Sequence, residues 1–370
     1  MNDLYNPQRF EQIEDRHQNA FAWRRQDYIP LGIWVVNPEY AVDLDYGQWL
    51  EPDGFLDYQI KVLTDSLTVG SDLLPVIGIN HLGTALLNTM FGAELFVPKT
   101  AIATLQDNGP TPLQLLESIE QVDQMNPPPI DSGLMPQVEQ ICRHYREHLP
   151  GWVGIDGPIN NGPFSTAMEL RGSGILMDLI DDPQRCLKLV NLIAATKVEA
   201  EHHLRRLLAC PVDQFHSQFG IAGPGLRIGE DSICCLSPEM IAQFALPGVL
   251  EVLRLAGGSG YIHFCSLDHA RYEQIYPVFR DCPDIQVISS QLAFEYYAKH
   301  LEELRGHLAI ESLYAPGYSY VVETYGSFTA WADEFVPRFK NESGLVLYFQ
   351  VDSVDEGRAI WDRWQAAHRK

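Results

Sequence analysis

The chain has 370 residues, 46% of them hydrophobic and 20% charged, which is ample material for a globular core and argues against disorder. With 49 acidic residues against 26 lysines and arginines, the formal net charge is -23. That balance argues against nucleic acid, which needs a positive track, and against anionic membrane surfaces. It leaves room for a small substrate, anionic ones included, because a few arginines in a cleft can dominate the local field.

The start, Met1-Asn2-Asp3-Leu4-Tyr5, has neither a basic n-region nor an apolar h-region, and no apolar run approaches a membrane span. A cytoplasmic protein is expected. The seven cysteines are odd in number and scattered, which suits reduced thiols better than a disulfide framework. Residues 8 to 26 place Phe10, Ile13, His17 and Phe21 on one helical face, and residues 1–55 read as an N-terminal helical extension packed on the main domain, 56–370. A second helix, with Leu56, Ile60, Leu63 and Leu67 on one stripe, runs into the strand-like stretch Ser71 to Ile77.

Residues 98 to 135, rich in Pro, Asp, Gln and Asn, carry no long periodic segment and read as an inserted loop-rich excursion. Short apolar runs then recur at 152–155, 214–221, 260–265, 284–290, 307–313 and 344–350, most of them separated by amphipathic helical stretches. Asp182-Pro183 and Ser237-Pro238 place a capping side chain before a proline, and Pro247-Gly248 should interrupt the helix begun at Ser237. Such βα alternation predicts a parallel α/β sheet. An open doubly wound sheet would advertise a G-x-G-x-x-G turn, and Gly220-Ile-Ala-Gly-Pro-Gly225 does not match that spacing. The expected fold is therefore a (β/α)8 TIM barrel.

Three stretches resemble the uroporphyrinogen decarboxylase superfamily, which includes zinc-dependent methyltransferases that exchange methyl groups with corrinoid proteins. The first runs from Asp156-Gly-Pro through Gly162-Pro-Phe-Ser-Thr-Ala167 to Leu176–Pro183. The second is Gly229-Glu-Asp231 with Leu236-Ser-Pro-Glu-Met240 and Phe244-Ala-Leu-Pro247, and the third is Tyr261-Ile-His-Phe-Cys265. The resemblance covers roughly residues 55 to 365. It implies a barrel whose site opens at the C-terminal ends of the strands, and a homodimer.

Read as a decarboxylase, the chain would use Asp72, in Ser71-Asp72-Leu73-Leu74, as its central acid on a tetrapyrrole or a smaller carboxylate. It departs from that pattern elsewhere. Leu31–Val35 holds no arginine for substrate carboxylates, position 169 is Glu169 rather than tyrosine, and Tyr348–Ser353 lacks the family histidine. Read as a methyltransferase, it matches at His263-x-Cys265, since residues two apart on a strand share a face and can bind one Zn²⁺. Zinc so held favours the thiolate form of an acceptor thiol, and the partner would be a corrinoid protein. The family's further cysteine in the last strand is missing, because no cysteine follows Cys282; Asp352, Glu311 or His216 could substitute, since carboxylate and imidazole both ligate zinc. A barrel that only binds a tetrapyrrole or corrinoid is the third reading.

Other candidates carry plainer alternatives. Glu230 and Asp231 are adjacent acids suited to acid/base work or to a solvated loop, with only one expected to point inward. Asp156, Asn160 and Asn161 suit substrate hydrogen bonds or a turn. His216 and Gln218 share one strand face that should point into the barrel mouth, towards substrate or metal, or to a partner. Arg171 and Arg227 suit a substrate carboxylate or internal salt bridges. Cys234 and Cys235 read as packing thiols.

Overall fold

The computed structural model describes residues 2–40, 42–44, 51–79, 85–96, 101–103, 110–158, 161–211, 213–266, 269–290, 293–313, 321–340 and 342–369. Helix α1 (Pro7–Phe21) begins where the Asn6 side chain accepts the Arg9 N–H at 3.0 Å, with Pro7 in the first turn. It turns Phe10, Ile13, His17 and Phe21 inward, the face their spacing predicts. Strand β1 (Leu31–Val35) is buried at all five positions and pairs in parallel with the last strand. The boundary expected at residue 55 therefore cuts through the central sheet. A strand covered on both faces shows no polar alternation, which is why it reads as part of an extension.

The remaining longer elements are, in order, α2 (Leu56–Val69), β2 (Val76–Gly78), α3 (Met135–His148), β3 (Gly154–Asp156), α4 (Pro163–Arg171) and α5 (Pro183–Leu208). Then come β4 (Gln214–His216), β5 (Ala222–Pro224), β6 (Leu226–Gly229), α6 (Leu246–Leu253), β7 (Gly260–His263) and α7 (His269–Arg280). The chain finishes with β8 (Ile285–Ser290), α8 (Ala293–Leu304), β9 (Ala309–Leu313), α9 (Phe328–Phe339), β10 (Leu345–Val351) and α10 (Val354–Arg369). Asp182 caps α5 by accepting the Arg185 N–H at 3.2 Å, and the Ser237 hydroxyl accepts the Met240 N–H at 3.2 Å. The interruption expected at Pro247-Gly248 is present: one π-helical turn, Ile241–Ala245, precedes α6, and Pro247 lies in the first turn of that helix.

Six strands form one parallel sheet in the order β1-β10-β9-β8-β7-β6. A separate parallel pair, β2 and β3, reaches towards both of its edges: the Asp72 N–H donates to Leu31 O beside β1, and Asn161 bridges Gly229 of β6. Among the described residues the excursion holds short pieces, Ala101–Ala103 against Val42–Leu44, Thr111–Pro112 against Leu95–Phe96, and a six-residue 3-10 helix, Ile119–Gln124. No described helix is long and apolar enough to cross a membrane.

Register fixes which side chains share a face. Arg227 pairs with Tyr261 and Gly229 with His263; His263 pairs with Ser289, Ser289 with Glu311, and Gly32 with Tyr348. Those residues point away from the helices, whereas the alternate set packs under them: Phe349 lies 5.7 Å from the Trp331 ring of α9, and Phe264 lies 5.5 Å from Tyr272 of α7. The run at 214–221 corrects an expectation. It is not a strand of the main sheet but one arm and the tip of an antiparallel hairpin, β4–β5, that feeds β6. Gly220 turns the tip at φ +69°, a conformation that L side chains rarely adopt. The hairpin packs on the face that carries His263, with Phe215 5.4 Å from Tyr261 and Phe219 5.5 Å from Trp34 and 5.4 Å from Tyr348.

Candidate metal centre

His263 is the last residue of β7, so its side chain stands at the C-terminal end of the sheet. Its Nδ1 lies 3.1 Å from the Ser289 hydroxyl on the neighbouring strand. That contact turns Nε2 towards Cys265, whose Sγ is 3.1 Å away. The chain leaves the strand at Phe264, which buries its ring under α7, and Cys265 then faces out again. The Cys265 N–H donates to Asp231 Oδ1 at 2.8 Å, and the same oxygen lies 3.8 Å from His263 Nε2.

One nitrogen, one sulfur and one oxygen thus fall within 4.8 Å of one another. Bonds of about 2.0–2.3 Å to a tetrahedral zinc set ligand atoms roughly 3.3–3.8 Å apart; the His263–Asp231 separation of 3.8 Å falls at the upper end of that span and the His263–Cys265 separation of 3.1 Å just below it. Burial, with Arg227 adding to it against the pull of Asp231, lowers the His263 pKa to about 4, so the imidazole is neutral near pH 7 and able to ligate. Burial first and the Asp231 charge second push the Cys265 thiol up. A divalent cation would reverse that second effect, because both groups would then face a positive charge. The donor set fits zinc and, with three protein ligands, leaves a fourth position for a substrate.

The third group that converges with His263 and Cys265 is Asp231, a residue the sequence suggested for acid/base work; none of the three expected to complete the site joins them among the described residues. Asp352 is exposed beyond β10, where its N–H donates to Glu356. His216 lies 3.4 Å from Glu14 of α1. Glu311 is fully buried on β9, outside the triad. The adjacent acids diverge as expected, and the inward one, Glu230, lies outside the triad. Glu230 accepts the Phe164 N–H at 3.0 Å and the Ser165 N–H at 2.8 Å, capping α4 from a distant loop. Burial still pushes its pKa up to about 7. Gly162 makes room for it, since a Cβ there would lie 2.3 Å from the Glu230 carboxyl.

Asp72 lies away from the triad. Its carboxylate accepts the Leu31 N–H at 3.2 Å and the Tyr28 hydroxyl at 3.0 Å and pairs with Arg16 at 3.2 Å. Leu31 opens β1 while His263 closes β7, so Asp72 sits at the opposite end of the sheet. Arg171 is in the internal salt bridge that was its plainer alternative, 2.8 Å from Asp178. Asp156, at the end of β3, accepts the Gln218 N–H at 3.0 Å, and burial pushes its pKa up to about 6. Arg227 shares the face of His263 and lies over the Phe219 ring, 5.6 Å from its centroid. Asn160 lies outside the described residues. Sequence reasoning missed Ser289, although it falls on the same alternation as Val287 in the run 284–290, and it missed the Cys234 thiol, which donates to Cys265 O at 3.2 Å.

No protein-family profile matches the chain. No curated protein matches it either. Among solved structures, a methyltransferase from Methanosarcina mazei superposes with a TM-score of 0.64 at 13% sequence identity, covering 96% of this chain and 98% of that one. At that identity the likeness shows a shared α/β fold over the whole length.

Proposed function

We propose that the chain is a (β/α)8-barrel enzyme, a metal-dependent methyltransferase that passes a methyl group between a corrinoid, held by a partner protein, and a thiol acceptor. In this reading β2 and β3 close the ring between β1 and β6. The observation that carries it is the convergence of Asp231, His263 and Cys265 at the C-terminal ends of the strands, where barrel enzymes place their chemistry. A zinc ion there would supply the positive charge that lowers the pKa of the acceptor thiol. The chain's own residues do the rest: Ser289 fixes the His263 ring, Asp231 holds the Cys265 backbone, and the thiol-bearing loop is tied to β6 by the Glu230 N–H donating to His263 O at 2.7 Å. The resemblance to a methyltransferase fold agrees with this reading. A decarboxylase centred on Asp72 finds no comparable support, because that carboxylate is engaged by Arg16 and Tyr28 at the other end of the sheet.

Protein purified without chelator should carry close to one zinc per chain, and Cys265→Ser or Asp231→Ala should lose it. Cobalt substitution should give a sulfur-to-metal charge-transfer band that Cys265→Ser abolishes. Ser289→Ala should retain the site but weaken metal affinity about 10- to 100-fold, as removal of an outer hydrogen bond to a ligating imidazole does. Absence of metal, together with methyl-transfer rates unchanged in Cys265→Ser, would overturn the proposal. Metal and corrinoid binding with no methyl turnover to any thiol would favour the binding-only reading.

A further inference from the structure

A cavity of about 100 Å³ lies between β3, α5, the hairpin and β6. Its charged lining consists of Asp156, Glu201, Arg205, His216 and Arg227, and it reaches Gly229, the register partner of His263. Three of the five already have an ion-pair partner. Glu201 lies 3.2 Å from the Lys197 ammonium and 3.8 Å from Arg205, Arg205 donates to Gln214 O at 3.2 Å, and His216 faces Glu14. Asp156 and Arg227 are different. Asp156 has one backbone N–H and no cation within ion-pair distance among the described residues. Arg227 has no carboxylate within that distance among them; its buried Nε lacks a hydrogen-bond partner, as do Arg205 Nε and His216 Nε2, but those two groups each face a glutamate. Each lies within range of the other's charge without touching it.

We propose that this cavity is a subsite for a small zwitterion of the α-amino-acid class, its ammonium facing Asp156 and its carboxylate facing Arg227. A planar guanidinium and a single carboxylate of opposite sign, held apart across one cavity, match a ligand that carries both complementary charges on a short carbon frame. A dianion would leave its second charge against Asp156, and a dication against Arg227, each a costly like-charge contact. The cavity is well below the several hundred Å³ that drug-sized ligands occupy, which restricts the ligand to a few heavy atoms. A ligand without net charge also meets no long-range repulsion from a protein of net charge -23. As the identity of the methyl acceptor this inference rests on the proposed function, the acceptor then being an amino acid with a thiol side chain. As a binding site it does not.

The test uses the full chain with metal removed, so that thiol–metal bonds cannot mask the subsite. Calorimetric titration with L-cysteine, 3-mercaptopropionate and cysteamine varies the charged ends while keeping the thiol. L-cysteine is expected to bind at least about tenfold more tightly than either single-charge analogue, the equivalent of one good charge-assisted contact. L-alanine should share that preference over propionate and ethylamine. Arg227→Met should lower the affinity for L-cysteine and leave cysteamine unchanged, while Asp156→Asn should lower it and leave 3-mercaptopropionate unchanged; thermal melts confirm that both variants fold. Equal affinity for all three thiols, no binding of any zwitterion, or an unchanged L-cysteine affinity in both variants would overturn the proposal. Zinc content, measured separately, shows whether the metal reading has failed as well.

Discussion

Glu311 is fully buried, and neither of its carboxyl oxygens has a hydrogen-bond partner among the described residues. Burial pushes its pKa up from 4.5 to about 8, and the Arg227 charge offsets only part of that. Between those two values the folded chain holds a proton that the unfolded chain has released. Stability therefore falls as pH rises through this window, and the whole penalty is present above pH 8. Glu311→Gln removes the ionisable proton while keeping the shape. The variant should match the parent near pH 4 to 5 and become the more stable of the two by pH 9, by roughly 3–5 kcal/mol. Urea melts at the two ends of the range read this out, and a gap that stays constant with pH would show that Glu311 finds a partner in the folded protein.

At the scale of elements, the hairpin β4–β5 is where pattern reading and structure part. The alternation of Phe215, Ser217 and Phe219 with polar residues is genuine strand spacing, but two glycines redirect the chain. Gly220 turns the tip against Leu73 and Leu74, where a Cβ would lie 2.6 Å from the Leu73 side chain. Gly225, at φ +63°, makes the corner into β6, where a Cβ would lie 2.1 Å from Ser259 O. The glycines that fail the dinucleotide spacing thus serve backbone geometry. Phe219→Ala should cost about 2–4 kcal/mol by removing its edge contacts with Trp34 and Tyr348. It should also loosen Arg227, so tryptophan fluorescence and melting should shift together; a shift within 0.5 kcal/mol of the parent would mean the tip does not brace this face.

The candidate site was legible to the same depth. His263 and Cys265 are two residues apart and visible in one strand, whereas Asp231 becomes their neighbour only through the pairing of Gly229 with His263 across β6 and β7. Lateral register of parallel strands leaves no trace in local periodicity. Ligand chemistry alone pointed to Asp352, Glu311 or His216, whereas Asp231 stands two residues beyond the end of the adjacent strand.

For the whole molecule, the charge of -23 sets a self-repulsion that the surface ion pairs only partly relieve. Pairs such as Arg185 with Asp123, 2.8 Å apart, and Arg305 with Glu342, 2.6 Å apart, are exposed and contribute little each. Raising the ionic strength from about 0.01 M to about 0.15 M shortens the screening length from roughly 30 Å to roughly 8 Å. The melting temperature should rise over that interval, and a fall would mean that the ion pairs outweigh the repulsion.

Helix α1 has one more consequence, and it concerns the order in which the chain is made. Its inward face meets partners synthesised far later: His17 Nδ1 accepts the Ala222 N–H at 3.2 Å, Phe21 lies 6.3 Å from Tyr261, and Ala20 O accepts the Gly344 N–H at 2.9 Å. Helix α1 is thus made well before the partners of its inward face and docks late, with Phe21 uncovered until residue 261 has emerged. Nascent chains halted before residue 214 should leave that helix open to proteases and chaperones, and closure should follow only once the hairpin has emerged.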